Sequence, residues 1–210
     1  RLVWGKSLNA GQTCIAPDYL LVQRPIRETL IQGLAARIDS CFGPDPLQSP
    51  DLGRIVNASQ FERLQALLST AQQRGQVLHG GQCDPASRRI APTLIAVDDP
   101  GDPLMQEELF GPLLPVLTID SLEEAITQIN SRPKPLALYL FSRDGHQQQG
   151  RGEGLDLQEH EQAGFELIAP FASEVGVTHV LVPAARSVGD VKPEAERPQT
   201  DRRRCQDRLE

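Results

Sequence analysis

Leu113-Leu114-Pro115-Val116-Leu117-Thr118-Ile119, followed at once by Asp120-Ser121-Leu122-Glu123-Glu124-Ala125-Ile126-Thr127-Gln128-Ile129, decides the fold class. The first run is apolar, partly β-branched and too short for a helix, so it reads as a buried strand. Ser121 stands three residues ahead of Glu124, the spacing of a capping box. Leu122, Ala125, Ile126 and Ile129 then recur on one helical face. A strand running into a capped amphipathic helix, with Leu136 to Phe141 as the next strand, is the outline of a βαβ unit.

Working outward, the same alternation continues upstream. Leu20-Leu21-Val22 reads as a strand, and Ile26, Leu30, Leu34 and Ile38 follow at four-residue spacing, with Pro25 near the helix start. Gly43-Pro44-Asp45-Pro46 ends that helix and opens a loop to about Asn57. Ser59 is expected to cap a second helix whose stripe is Phe61, Leu64, Leu67, Leu68 and Ala71, with Gly75 as its stop. Gln76 to Leu78 and Ile90 to Val97 are further strand candidates, the second made irregular by Pro92. The expected fold class is α/β with a largely parallel sheet and flanking helices.

The texture changes after Asp144. Gln147 to Gly154 is loop-like, and Gly150-Arg151-Gly152-Glu153-Gly154 reads as a flexible linker, with no strand ahead of it to suit a phosphate-binding turn. Phe165 to Val182 holds enough apolar residues for a strand or two. Val191 to Glu210, with Pro193, Pro198 and dense mixed charge, is expected to be disordered. The division is therefore residues 1–144 as one partial α/β domain and residues 145–210 as a divergent, partly disordered tail.

Composition removes several function classes. A formal net charge of −7 over 210 residues offers no basic face for nucleic acid. Cys14, Cys41, Cys83 and Cys205 are far apart and form neither a CxxC pair nor a metal-ligand cluster with histidine, as expected for reduced thiols in a cytoplasmic protein. No apolar run approaches the roughly 20 residues that span a bilayer. Cys205 does not occupy a CaaX position.

Three residues draw attention as candidates for chemistry. Cys14 sits in Asn9-Ala10-Gly11-Gln12-Thr13-Cys14, a turn-forming stretch that can expose a thiol, although no histidine is near in sequence to act as its base. Read on their own, Glu107-Glu108 is a solvated acidic pair, Phe110 a core anchor before a Gly-Pro turn, and Asn9 a turn former. A cysteine hydrolase pairing Cys14 with His79, His146, His160 or His179 is a competing reading without positional support.

Trp4 to Tyr19, containing Gly11-Gln12-Thr13-Cys14 and continuing into Ala16-Pro17-Asp18-Tyr19, resembles the active-site segment of aldehyde dehydrogenases, and of their class 3 branch in particular. Gly43 to Ile55, Ile90 to Thr93, Met105 to Pro112 and Lys134 to Tyr139 extend the resemblance in the family's order over residues 1–144. After Asp144 it stops, and Pro170-Phe171 is not followed by the glycine pair expected near the substrate opening.

The resemblance implies a partial aldehyde dehydrogenase catalytic domain. It makes Cys14 the nucleophile that forms a thiohemiacetal with the aldehyde. Hydride then leaves to NAD or NADP, and water hydrolyses the resulting thioester to the acid. The Cys14 backbone N–H would donate to the oxyanion. Glu108 would accept from the hydroxyls of the nicotinamide ribose with Phe110 beside it, so both are cofactor-binding candidates; no metal is implied. The family's general-base glutamate and nucleotide-binding domain lie upstream of the stretch that Arg1 begins, so a fragment inactive alone is expected, with a homodimer for an intact relative. The family also leaves peripheral membrane association of an intact relative open. The alternative is a non-catalytic relative that binds or associates with another subunit.

Overall fold

Leu20–Gln23 forms β1, whose side chains alternate between two apolar layers. Leu20 and Val22 join a cluster with Ile31, Leu34, Ile38 and Phe42, while Leu21 joins one with Phe61, Leu64, Leu68 and Ile129. Burial on both faces is what a near-continuous apolar run encodes. The computed structural model describes residues 1–133 and 135–141, and the backbone alone of residues 180–186. The linker at 150–154, Pro170-Phe171, the disorder expected after Val191, His146, His160, His179 and Cys205 lie outside the described residues.

In chain order the elements are α1 (Leu2–Ser7), β1, α2 (Arg27–Phe42), α3 (Ala58–Gln73), β2 (Val77–His79), β3 (Cys83–Asp84), β4 (Arg89–Ile90), β5 (Thr93–Val97), β6 (Leu113–Ile119), α4 (Leu122–Asn130), β7 (Pro135–Phe141) and β8 (Val180–Arg186). The main sheet runs β2-β5-β6-β1-β8-β7, and β3 pairs with β4 separately. Its centre is parallel: β5 pairs with β6 and β6 with β1. The outer strands β2, β8 and β7 pair antiparallel. Apolar residues of α1 and α2 cover one face, and those of α3 and α4 the other.

Local signals explain most boundaries. Pro25 lies in a single 3-10 turn, Arg24–Ile26, that leads into α2. Gly43 then closes α2 at φ +77, a conformation that costs glycine little. Ser121 caps α4 as expected, its side chain accepting from the Glu124 N–H at 3.1 Å. The Glu124 carboxylate returns to the Asp120 N–H, one residue ahead of the cap. Helix α3 corrects one expectation. Its cap is Asn57, whose side chain accepts from the Gln60 N–H at 2.9 Å, and Ser59 lies inside the first turn. Either residue has the chemistry, and the start of the apolar stripe at Phe61 does not choose between them. At the far end Gly75 N–H bonds Gln72 O and Gln76 N–H bonds Ala71 O, the paired bonds of a Schellman stop.

Pro92 separates β4 from β5, so the expected strand from Ile90 to Val97 is divided between two sheets. The expected strand content between Phe165 and Val182 meets β8 only from Val180 on. No described helix is long and apolar enough to cross a membrane.

Candidate active site

Cys14 precedes β1 by a few residues, and Glu108 to Phe110 precede β6 by about as many. Because β1 and β6 are parallel neighbours, with Leu20 opposite Val116, both segments arrive at the same end of the sheet. Topology therefore brings together residues far apart in sequence.

The Cys14 turn is built on an unusual backbone. Asn9, Ala10 and Gly11 all have positive φ, at 50°, 54° and 73°. Single left-handed residues are ordinary, but an alanine there is uncommon and must be held by its surroundings. Asn9 is the turn former expected: its amide donates to Gln12 O, and Asn9 O receives the Gln12 side-chain amide. Gln12, which sequence reasoning passed over, also donates to Arg54 O at 2.9 Å and accepts from the Val56 N–H at 2.8 Å. One buried glutamine thus ties the turn to residues 54–56. From β7, the Tyr139 hydroxyl donates to Ile15 O at 2.9 Å. Within this frame the Cys14 thiol is free and exposed.

Glycine permits the two segments to touch. A Cβ on Gly11 would lie 2.3 Å from the Gly111 carbonyl oxygen, and one on Gly111 would lie 2.5 Å from Leu64 Cδ1. Asp18 adds a direct bond, its Oδ1 accepting from the Leu109 N–H at 3.0 Å. Of the three residues that follow the acidic pair's first member, Leu109 is the buried one, at 1% exposure. Glu108 is half-buried. Phe110 is 38% exposed at φ 45, which corrects its reading as a core anchor: the backbone turns left-handed there and presents the ring outward.

Lys6 is the residue with the least sequence signal and a pronounced electrostatic setting. It lies on the same face of α1 as Val3 and is buried, its Nζ donating to Pro17 O at 2.7 Å. Burial pushes its ammonium down to about 8, against the opposing pull of the Asp18 and then the Glu108 carboxylates. A half-buried carboxylate and an exposed aromatic ring on one segment, fastened to a second segment that carries an exposed thiol, suit the contact of a polar, ring-bearing cofactor with a cysteine nucleophile. Among the described residues, no group of three His, Cys, Asp or Glu is arranged to hold a metal. His79, the one described candidate of a hydrolase pairing, is engaged with Asp39 at 3.0 Å.

Comparison with known proteins follows the same residues. The family model described as "Aldehyde dehydrogenase family" matches residues 1–156. Aldehyde dehydrogenase family 3 member B1 of Homo sapiens is 50% identical over 142 residues, which is 68% of this chain and 30% of that protein. The dimeric NADP-preferring aldehyde dehydrogenase of Rattus norvegicus is 46% identical over 144 residues, 69% of this chain and 31% of its own length. Among solved structures, the substrate-bound state of Staphylococcus aureus AldH aligns with a TM-score of 0.68 at 47% identity, covering 71% of this chain and 32% of that one. The chain thus spans about 30% of the length of the curated relatives it matches.

Proposed function

Because the chain belongs to the aldehyde dehydrogenase family, we propose that it carries the nucleophile and part of the cofactor contact of an enzyme oxidising aliphatic or aromatic aldehydes to carboxylic acids. The observation that carries this reading is the exposed Cys14 thiol in a turn fastened to the Glu108-Phe110 segment through Asp18 and the Gly11-Gly111 contact.

In this reading the Cys14 thiolate adds to the aldehyde carbon, forming a C–S bond and an oxyanion that the Cys14 backbone N–H can receive. Loss of hydride restores the carbonyl as a thioester. Water then adds, and the thiolate leaves as the acid forms. The nicotinamide of NAD or NADP, when bound, supplies the hydride acceptor. Glu108 accepts from the hydroxyls of its ribose, since a carboxylate can take two neighbouring O–H donors, and Phe110 lies against it. The Rattus norvegicus relative's description as dimeric and NADP-preferring supports a dimeric, dinucleotide-using intact enzyme. Three free described cysteines accord with a reducing, cytoplasmic setting.

In this reading the family's general base and nucleotide-binding domain belong to the part of the relatives' length that these 210 residues do not span. The 210 residues by themselves are therefore expected to give no aldehyde-dependent NADH formation, while Cys14 is alkylated by iodoacetamide ahead of Cys83. Turnover that disappears in Cys14→Ala would refute the inactivity; alkylation of Cys14 no faster than that of partly buried Cys83 would count against a presented nucleophile. An association module without catalysis is the second reading. It rests on the position of the seven-residue strand β7 at the end of the sheet order among the described residues, where a further strand could pair.

A further inference from the structure

Leu109 lies between the two candidate cofactor contacts, and ionisable side chains from two other segments take both of its backbone groups. Asp18 Oδ1 accepts its N–H at 3.0 Å, and Arg63 Nη2 on α3 donates to its carbonyl at 2.5 Å. Arg63 is itself oriented, with Nε on Gln60 Oε1 at 3.0 Å and Nη1 3.9 Å from Glu107. Asp18 is 4% exposed, so a desolvated carboxylate holds this peptide N–H. Water or a neighbouring main chain could satisfy a peptide with less desolvation, whereas charged partners hold it in one geometry. The next residue needs that hold. Phe110 sits at φ 45, a conformation an L side chain rarely adopts, and Gly111 is lodged beneath Leu64, the residue after Arg63 on α3.

We propose that Arg63 and Asp18 are positioning residues that clamp the Leu109 peptide, and so hold Glu108 and Phe110 in the orientation needed to receive the nicotinamide ribose. Asp18 belongs to the same short segment as Cys14, so the clamp also keeps the cofactor contact in register with the nucleophile. The inference rests on the dehydrogenase reading of Glu108. It adds the residues through which α3 and the Cys14 segment act on that contact.

The test uses the full chain titrated with nicotinamide mononucleotide and followed by NMR, with amide exchange read in parallel. Binding is expected to shift signals of residues 108–110 and to weaken at least about threefold in Glu108→Gln and Arg63→Met. Leu109 N–H exchange should rise about tenfold in Arg63→Met, relative to β6 amides. Arg63→Lys and Asp18→Asn, which keep a donor and an acceptor, should retain most of the affinity. Glu108→Gln losing binding while Arg63→Met retains it would overturn the clamp and leave the ribose contact standing. Faster exchange in Arg63→Met with unchanged affinity would make Arg63 purely structural, which also overturns the proposal. A wild-type chain indifferent to the mononucleotide would remove the ribose contact, and the clamp's role with it.

Discussion

Lys6 shows how one residue can be costly and still be kept. Its ammonium is buried among apolar neighbours with one carbonyl acceptor, and burial lowers it from 10.5 to about 8 despite two carboxylates nearby. The sign of the linkage follows directly. Between pH 8 and 10.5 the unfolded chain holds a proton there that the folded chain has lost, so raising pH through this window adds stability. Below pH 8 both states are protonated, and the full cost of burying the charge, about 3 kcal/mol, is present. The denaturant midpoint should therefore climb from pH 8 toward pH 10 in the wild type more than in Lys6→Met. Equal pH dependence in the two proteins would show that Lys6 is not held as a depressed amine. Gln12, Asp18 and Arg63 belong to the same group of residues. Each is a polar side chain in an unremarkable sequence position, and each acquires its role through a partner dozens of residues away.

At the scale of elements, helix ends test how far local chemistry can be read. Asn57 accepts from the Gln60 N–H and Ser121 from the Glu124 N–H, and each satisfies a donor the helix would otherwise leave unpaired. Asn57→Ala should cost about 1 kcal/mol of stability by chemical denaturation, and Ser59→Ala close to nothing. A larger loss at Ser59 would return the cap to the residue the pattern favoured. Strands β1, β6 and β7 and helices α2, α3 and α4 were legible because each carries several apolar residues at its own period. The β3-β4 pair was not, since two-residue strands have no period to read. The core-anchor reading of Phe110 from composition alone fails for a related reason. Composition marks a phenylalanine before Gly-Pro as core, whereas the left-handed backbone that turns it outward is imposed by Leu109, Gly111 and what they touch.

For the whole molecule, sheet order matters more than any single strand. Strand β8 separates β1 from β7 and pairs with both, with Leu21 opposite Leu181 and Phe141 opposite Val180. A chain ended at Asp144 would leave β1 with an open edge and β7 with no pairing. Tyr139, whose hydroxyl holds Ile15 O beside the thiol, would lose its mount. Such a protein should self-associate on size-exclusion chromatography as its concentration rises, and its β7 amides should lose exchange protection. A monomeric truncated chain with protected β7 would show that β8 is dispensable. The family resemblance could name Cys14, Glu108 and Phe110 together, but the parallel pairing of β1 with β6 explains why the segments that carry them arrive at one end of the sheet.

That pairing also has a consequence in time. Asp18 and Leu109 are 91 residues apart, and Gly11 meets its partner only once Gly111 has been made. At about 5–20 residues per second, synthesis leaves the thiol turn without its brace for roughly 5–20 s after it emerges. For that interval Cys14 is an ordinary thiol on a nascent chain, open to oxidants and chaperones alike. In the order of translation, the thiol turn precedes each of the segments to which Gly11, Gln12 and Asp18 fasten it.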